Sequence, residues 1–270
     1  MGAKARILFN RALYLLAIGA AVIGLAWLPL PLLTRLAIGG AALVIGGGLA
    51  FRMIPAFDPL GRVRWKLGRR GPARGQGSGK KICAITFDDG PSAATAEVLD
   101  VLARSGVRAT FFVLAENARR HPQILRRCAD EGHTVAIHGD RHHKLHRASE
   151  AKVEAEVTRA ISGLRALGVE PAPLYRTPHG VKNAAVFRVC RKLSLQLWAW
   201  SRGIWDTDRP AASVLVARAT RLARSGMVLL LHDGRGDEET PDVSSMVAAL
   251  PQIIVKLRGA GFDFVTLDAA

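Results

Sequence analysis

Cysteine is scarce in this 270-residue chain: Cys83, Cys128 and Cys190 stand far apart, with no C-x-x-C pair among them. So small and odd a set excludes a disulfide-stapled scaffold and a thiolate zinc centre, and it fits a reducing compartment. Acidic residues are nearly missing from positions 1–81, where Asp58 alone faces 13 Lys and Arg. Beyond residue 81 the chain holds 25 basic and 21 acidic residues, so most of the net charge of +16 belongs to the N-terminal segment. The membrane flank described below accounts for that excess, and a nucleic-acid partner is not expected. Apolar residues are not in short supply. At 49% hydrophobic, the chain has enough for a large core, which excludes disorder as its main state.

From Ala12 to Leu33 no residue is charged, a length of 22 residues where about 20 span a bilayer as a helix. A second uncharged run extends from Leu36 to Phe51, rich in glycine as suits close helix packing. Pro29 and Pro31 mark the turn between them. A cleaved signal peptide would have a shorter apolar region followed by small residues. The pattern therefore predicts a two-helix transmembrane hairpin with spans 12–33 and 36–51. Lys4, Arg6 and Arg11 precede it, and Arg52, Arg62, Arg64, Lys66, Arg69, Arg70 and Arg74 follow, against Arg35 alone in the connection. Positive charge of this kind places both ends in the cytoplasm, at the inner membrane, with the basic stretch against the lipid bilayer. Three regions follow: an anchor with its basic flank over 1–67, a glycine-rich linker over 68–81, and a domain over 82–270.

In that domain short apolar runs alternate with amphipathic stretches. Strand-like runs end near Phe87, Val113, Ile137, Tyr175, Trp200, Leu231 and Leu267, with helix-like stretches over 94–105, 116–131, 148–167, 184–192, 211–224 and 243–258. Seven strands with intervening helices predict a parallel α/β fold, either an open sheet or a closed barrel. Asp88-Asp89, His138, Arg176, Asp206 and His232-Asp233 all fall at or just beyond strand ends, where functional residues of such folds converge.

Two patterns there carry chemistry. In Thr86-Phe87-Asp88-Asp89-Gly90-Pro91 adjacent carboxylates on a turn point in different directions, so one can bind a cation while the other acts as a base. His138 and His142, four apart, can reach one metal. One carboxylate and two imidazoles with positions left open form the pattern of a catalytic zinc site. His143 and His146 read as surface residues.

The ordered motifs T-F-D-D-G-P at 86–91, H-x-x-x-H at 138–142, R-x-P-x-G at 176–180 and L-x-L-H-D at 229–233 resemble the polysaccharide deacetylases, the carbohydrate esterase group with a NodB homology domain. The resemblance covers roughly residues 80–268. It implies a distorted seven-stranded (β/α) barrel, one divalent metal ion, most often Zn2+, and removal of an N-acetyl or other small N-acyl group from an amino sugar. By the same resemblance Asp89, His138 and His142 are metal ligands, Asp88 is the general base, Arg176 orients it, and His232 is the general acid. Asp206 would partner Arg176 or His232. Leu230, Pro178, His179 and Trp200 would face the substrate, with the backbone N–H near His179 at the oxyanion. Three departures stand out: Gly139 where the family has Ser or Thr, His179 where Tyr is common, and an incomplete D-x-x-D-W motif over 200–207.

Combined with the hairpin, these residues predict a deacetylase of polyprenyl-phosphate-linked glycan at the membrane face. The other candidates are a deacetylase of peptidoglycan or exported polysaccharide and a degenerate, non-enzymatic glycan-binding relative.

Overall fold

The computed structural model describes residues 61–68 and 81–269, with isolated positions between 34 and 48. The strands are β1 (Val63–Arg64), β2 (Lys81–Asp88), β3 (Thr110–Leu114), β4 (Thr134–Gly139), β5 (Leu174–Tyr175), β6 (Gln196–Trp198), β7 (Arg202–Gly203), β8 (Met227–His232) and β9 (Phe262–Phe264). The helices are α1 (Thr95–Ser105), α2 (Ala115–Arg120), α3 (Pro122–Asp130), α4 (Glu150–Ala166), α5 (Ala184–Lys192), α6 (Ala212–Thr220) and α7 (Ser244–Gly259). Every strand pairing is parallel. Eight strands follow the order β1-β6-β5-β4-β3-β2-β8-β7, and β9 adds to the first half of β2.

This corrects the distorted seven-stranded barrel. Closure requires every strand to pair on both sides, yet β1 and β7 end the path and do not meet. Among the described residues the sheet is a curled half-barrel with two open edges. Both edge strands are only two residues long. β1 lies in the basic flank assigned above to a membrane surface; its Val63 and Arg64 pair with Leu197 and Trp198. The stretch read as one helix over 116–131 is two, because Pro122, which lacks an N–H, starts a new helix at its first position.

The membrane reading is also corrected. Among the described residues no helix is long and apolar enough to cross a membrane. Among them α4 is longest, at 17 residues, and it carries Glu150, Lys152, Glu154, Glu156, Arg159 and Arg165. The hairpin expected over 12–33 and 36–51, like most of the 68–81 linker, lies outside the described residues. The transmembrane hairpin, the bilayer as a partner and the inner-membrane, cytoplasm-facing location are therefore withdrawn.

Side chains alternate across each strand, and the alternation divides the core in two. Cys83, Ile85 and Phe87 of β2, Val135 and Ile137 of β4, and Leu229 and Leu231 of β8 pack outward in a large cluster with the helices. Ala84, Phe112, Ala136, Leu174, Trp198 and Val228 fill a smaller cluster inside the curl. Stepping by two along the inner face leads from Ala84 through Thr86 to Asp88, from Ala136 to His138, from Leu174 to Arg176, and from Val228 through Leu230 to His232. The strands thus end in polar residues that gather at one rim.

Candidate active site

β2 ends in Asp88, and Asp89 follows in a left-handed conformation, φ 75°, so the two carboxylates leave the strand in different directions. Gly90 is required next. A Cβ there would stand 2.0 Å from Asp233 Oδ2, closer than atoms can approach. The β2 and β8 ends are pressed together at this point, and Asp88 and His232 are register partners on adjacent strands.

Asp89 Oδ1 stands 3.1 Å from His138 Nε2 and 3.1 Å from His142 Nε2, with all three ligand atoms within 4.8 Å of one another. His138 Nδ1 lies 2.8 Å from the Arg176 carbonyl oxygen, to which only an Nδ1–H can donate. Nε2 of His138 is thus the ring nitrogen turned toward Asp89. Asp89 Oδ1 is buried with no hydrogen-bond donor, while Oδ2 accepts from the Gly236 N–H at 2.9 Å. Burial opposes ionisation of Asp89, but His142 and His138 outweigh it and hold its carboxyl well below the usual range. A buried carboxylate with two imidazole nitrogens turned toward one of its oxygens fits a divalent cation.

Asp88 is paired differently. The Arg176 guanidinium, fully buried, donates from Nη1 to Asp88 Oδ1 at 2.6 Å and to Thr86 Oγ1 at 2.8 Å, and from Nη2 to the Ala199 carbonyl at 3.0 Å. Its Cζ lies 4.0 Å from the Phe112 ring centroid and 5.7 Å from that of Trp200. Burial lowers the Arg176 pKa and Asp88 opposes that shift, but a guanidinium stays charged over any ordinary pH.

Asp206 contacts His232, the second of the two partners open to it. Its Oδ1 is 2.9 Å from His232 Nδ1, and its Oδ2 accepts from the His232 backbone N–H at 2.7 Å. Burial pushes the imidazole down. The charge and hydrogen bond of Asp206, with Asp89 and Asp88 behind, more than reverse this and raise its pKa to about 9. The ring is then cationic at neutral pH, with Nδ1–H held by Asp206.

Residues 75–198 match the family model described as polysaccharide deacetylase. The chain is 33% identical over 215 residues to a peptidoglycan-N-acetylglucosamine deacetylase of Bacillus cereus, covering 78% of this chain and 94% of that protein. A chitooligosaccharide deacetylase of a Bradyrhizobium species is 36% identical over 215 residues, covering 77% and 95%. Among solved structures, a family 4 carbohydrate esterase from Streptomyces lividans, in complex with acetate, matches with a TM-score of 0.61 at 30% identity, covering 67% of this chain and 90% of that one. The chain belongs to the polysaccharide deacetylase family. It is an enzyme of carbohydrate esterase family 4, a carbohydrate deacetylase, and the non-enzymatic alternative falls away.

Of the four residues expected to face the substrate in this deacetylase, Leu230 and Pro178 are buried and Trp200 is half-buried against both core clusters. His179 has φ 58°, and its ring centroid lies 4.1 Å from that of His142. Burial first, then His142 and Lys144, push the His179 pKa down to about 4, so its ring is neutral.

Two supporting residues, Asn117 and Glu156, escaped the motif reading, and a third, Asp233, stood at the end of the L-x-L-H-D motif without a role. Asn117 donates from Nδ2 to the Asp89 carbonyl at 2.7 Å and to the Gly236 carbonyl at 2.9 Å, tying the two loops together. Asp233 accepts from Thr95 Oγ1 at 2.7 Å, and burial lifts its pKa to about 7. Glu156, 2% exposed, accepts from the Arg141 N–H at 2.7 Å, in the loop between the two histidines. Gly139 lacks the hydroxyl usual at that motif position, and a Cβ there would lie 3.6 Å from Glu156 Oε1. One sign of Glu156 is in the sequence: it lies among Val153, Val157, Ala160 and Leu164 on the buried stripe of α4. A lone acid within an apolar stripe requires a polar partner.

Proposed function

We propose that this chain removes the N-acetyl group from N-acetylglucosamine units of a peptidoglycan- or chitin-type glycan, using a zinc ion held by Asp89, His138 and His142. The observation that carries the reading is the pairing of Asp88 with His232 on adjacent strands, each with its own opposite charge, Arg176 and Asp206. Two imidazole nitrogens and a carboxylate oxygen suit zinc. When bound, the ion supplies polarisation of the amide carbonyl and acidification of a water.

Asp88 receives the proton of the attacking water. Arg176 engages its Oδ1, which fixes the orientation of the carboxylate and directs Oδ2 to the proton. His232, cationic, donates its Nε2 proton to the amine nitrogen as the C–N bond breaks, since an amide anion is too basic to leave. Asp206 stabilises the imidazolium and holds Nδ1–H, so Nε2 is the donor. The backbone N–H near His179 faces the developing oxyanion. Leu230 bounds the acetyl methyl group, and Pro178, His179 and Trp200 form the sugar-facing wall.

The named relatives act on peptidoglycan and on chitooligosaccharide, which share N-acetylglucosamine. The polyprenyl-linked substrate rested on a cytoplasmic membrane anchor and is dropped with it. The test is acetate release from N-acetylglucosamine oligomers and from peptidoglycan fragments by zinc-loaded protein. Release that disappears on chelation and returns with zinc is expected; no release from either glycan would reject the reading.

A further inference from the structure

The edge strand β7 and helix α6 border a cleft of about 580 Å3, lined by Arg202, Trp205, Ser213, Val214, Arg218 and Arg221 among others. Three guanidiniums line it and no carboxylate does. None of the three forms an ion pair among the described residues. Arg202 Nη2 reaches the Leu222 carbonyl at 3.3 Å, and Arg218 Nη1 reaches the Ile204 carbonyl at 3.0 Å. Arg202 Nε is buried without a hydrogen-bond partner. Trp205, at φ 60°, is 39% exposed beside them.

Uncompensated guanidiniums around a concavity focus positive potential and offer forked N–H donors to a planar anion. An exposed indole offers a flat apolar face for a sugar ring. The cleft is also joined to the site. Trp205 directly precedes Asp206, which holds His232, and Gly203 of β7 is the register partner of Leu230. A glycan lying across the rim on the His232 side would run onto this edge.

We propose that the β7–α6 cleft is a subsite for a carboxylate carried on a sugar of the glycan, and that it gives the enzyme a preference for anionic over neutral amino-sugar chains. The proposal rests on the deacetylase reading for where the glycan lies. Its test compares two oligomers of equal length, a neutral N-acetylglucosamine oligomer and one alternating N-acetylglucosamine with a carboxylate-bearing amino sugar. The ratio of kcat/KM for the two is measured in wild type, Arg218→Ala/Arg221→Ala and Arg218→Glu/Arg221→Glu. The wild type should favour the anionic oligomer by about fivefold or more, through KM, with the preference shrinking as NaCl is added. The alanine pair should lose most of that preference and the glutamate pair should invert it. Ser213→Glu, which places a negative charge in the cleft without removing an arginine, should weaken the preference too and serves if either pair fails to fold. Calorimetric binding of both oligomers to zinc-loaded Asp88→Asn protein reads the same preference without turnover. Absent acetate release with a retained binding preference would count against the deacetylase reading alone. Equal binding and an equal ratio in wild type and variants would overturn the subsite.

Discussion

On the β2–β8 side of the site, Asp88 and His232 sit side by side in the strand ladder, and each is clasped by a single buried partner. On the β4 side, only His138 belongs to a strand; Asp89 and His142 lie on loops tied by Asn117, Gly236 and Glu156. The half proposed to move protons is thus fixed by sheet register, which cannot shift without breaking the core. The half proposed to hold the metal is fixed by hydrogen bonds from a surrounding layer, each of which can be removed singly. Damage to one half should therefore leave the other's observable standing.

The largest effect should come from the proposed ligands. Asp89→Ala or His138→Ala should eliminate stoichiometric zinc, read by elemental analysis, and acetate release with it. Far-UV circular dichroism should stay unchanged, because neither side chain carries the sheet. Zinc retained after either change would show that the ion is held elsewhere.

Next is Arg176→Ala. It leaves the Asp88 carboxylate buried with no counter-charge, a change that typically costs about 3–5 kcal/mol, and denaturant unfolding should show a loss of that order. Arg176→Lys should not restore it, since one ammonium cannot reach Asp88, Thr86 and Ala199 in the same fork.

Asp206→Asn tests the acid. In the proposed mechanism the rate requires protonated His232, so the wild-type rate should hold through neutral pH and fall as pH rises through about 9. Asp206 raises that pKa; the asparagine variant should move the alkaline limb toward lower pH, and a limb that stays in place would remove Asp206 from the role. A smaller effect belongs to Glu156→Gln, which weakens the tie to the histidine loop through Arg141. Zinc affinity should fall by about 10–100-fold, as for other residues that orient metal ligands, while the alkaline limb stays where it is.

What was legible in the sequence follows the same division. Asp88, His138 and His232 lie at the ends of strands whose apolar runs can be read by eye, and Arg176 directly follows Leu174 and Tyr175, so the rim at which they meet was visible in one dimension. Asp206 was legible as a candidate, but only the fold selects His232 over Arg176 as its partner. Two-residue strands such as β1 and β7 carry no periodic signal, and whether a sheet closes depends on pairing between segments far apart in the chain. The strand pattern therefore left open sheet and barrel undecided, and the barrel expectation came from the family resemblance. Glu156 and Asn117 act from helices through backbone groups, which no motif spacing records. The uncharged N-terminal runs show how strongly a hydropathy pattern can steer a substrate assignment that the site itself does not require.

The most direct measurement is made on Asp88→Asn, which alters the proton-moving half alone. Zinc content and acetate release should be read on the same preparation. One zinc per chain should remain, while release from N-acetylglucosamine oligomers falls by about 10²–10⁴, the usual worth of a general base. Near wild-type release with zinc bound, or loss of zinc from a folded protein, would contradict the division of the site on which this account rests.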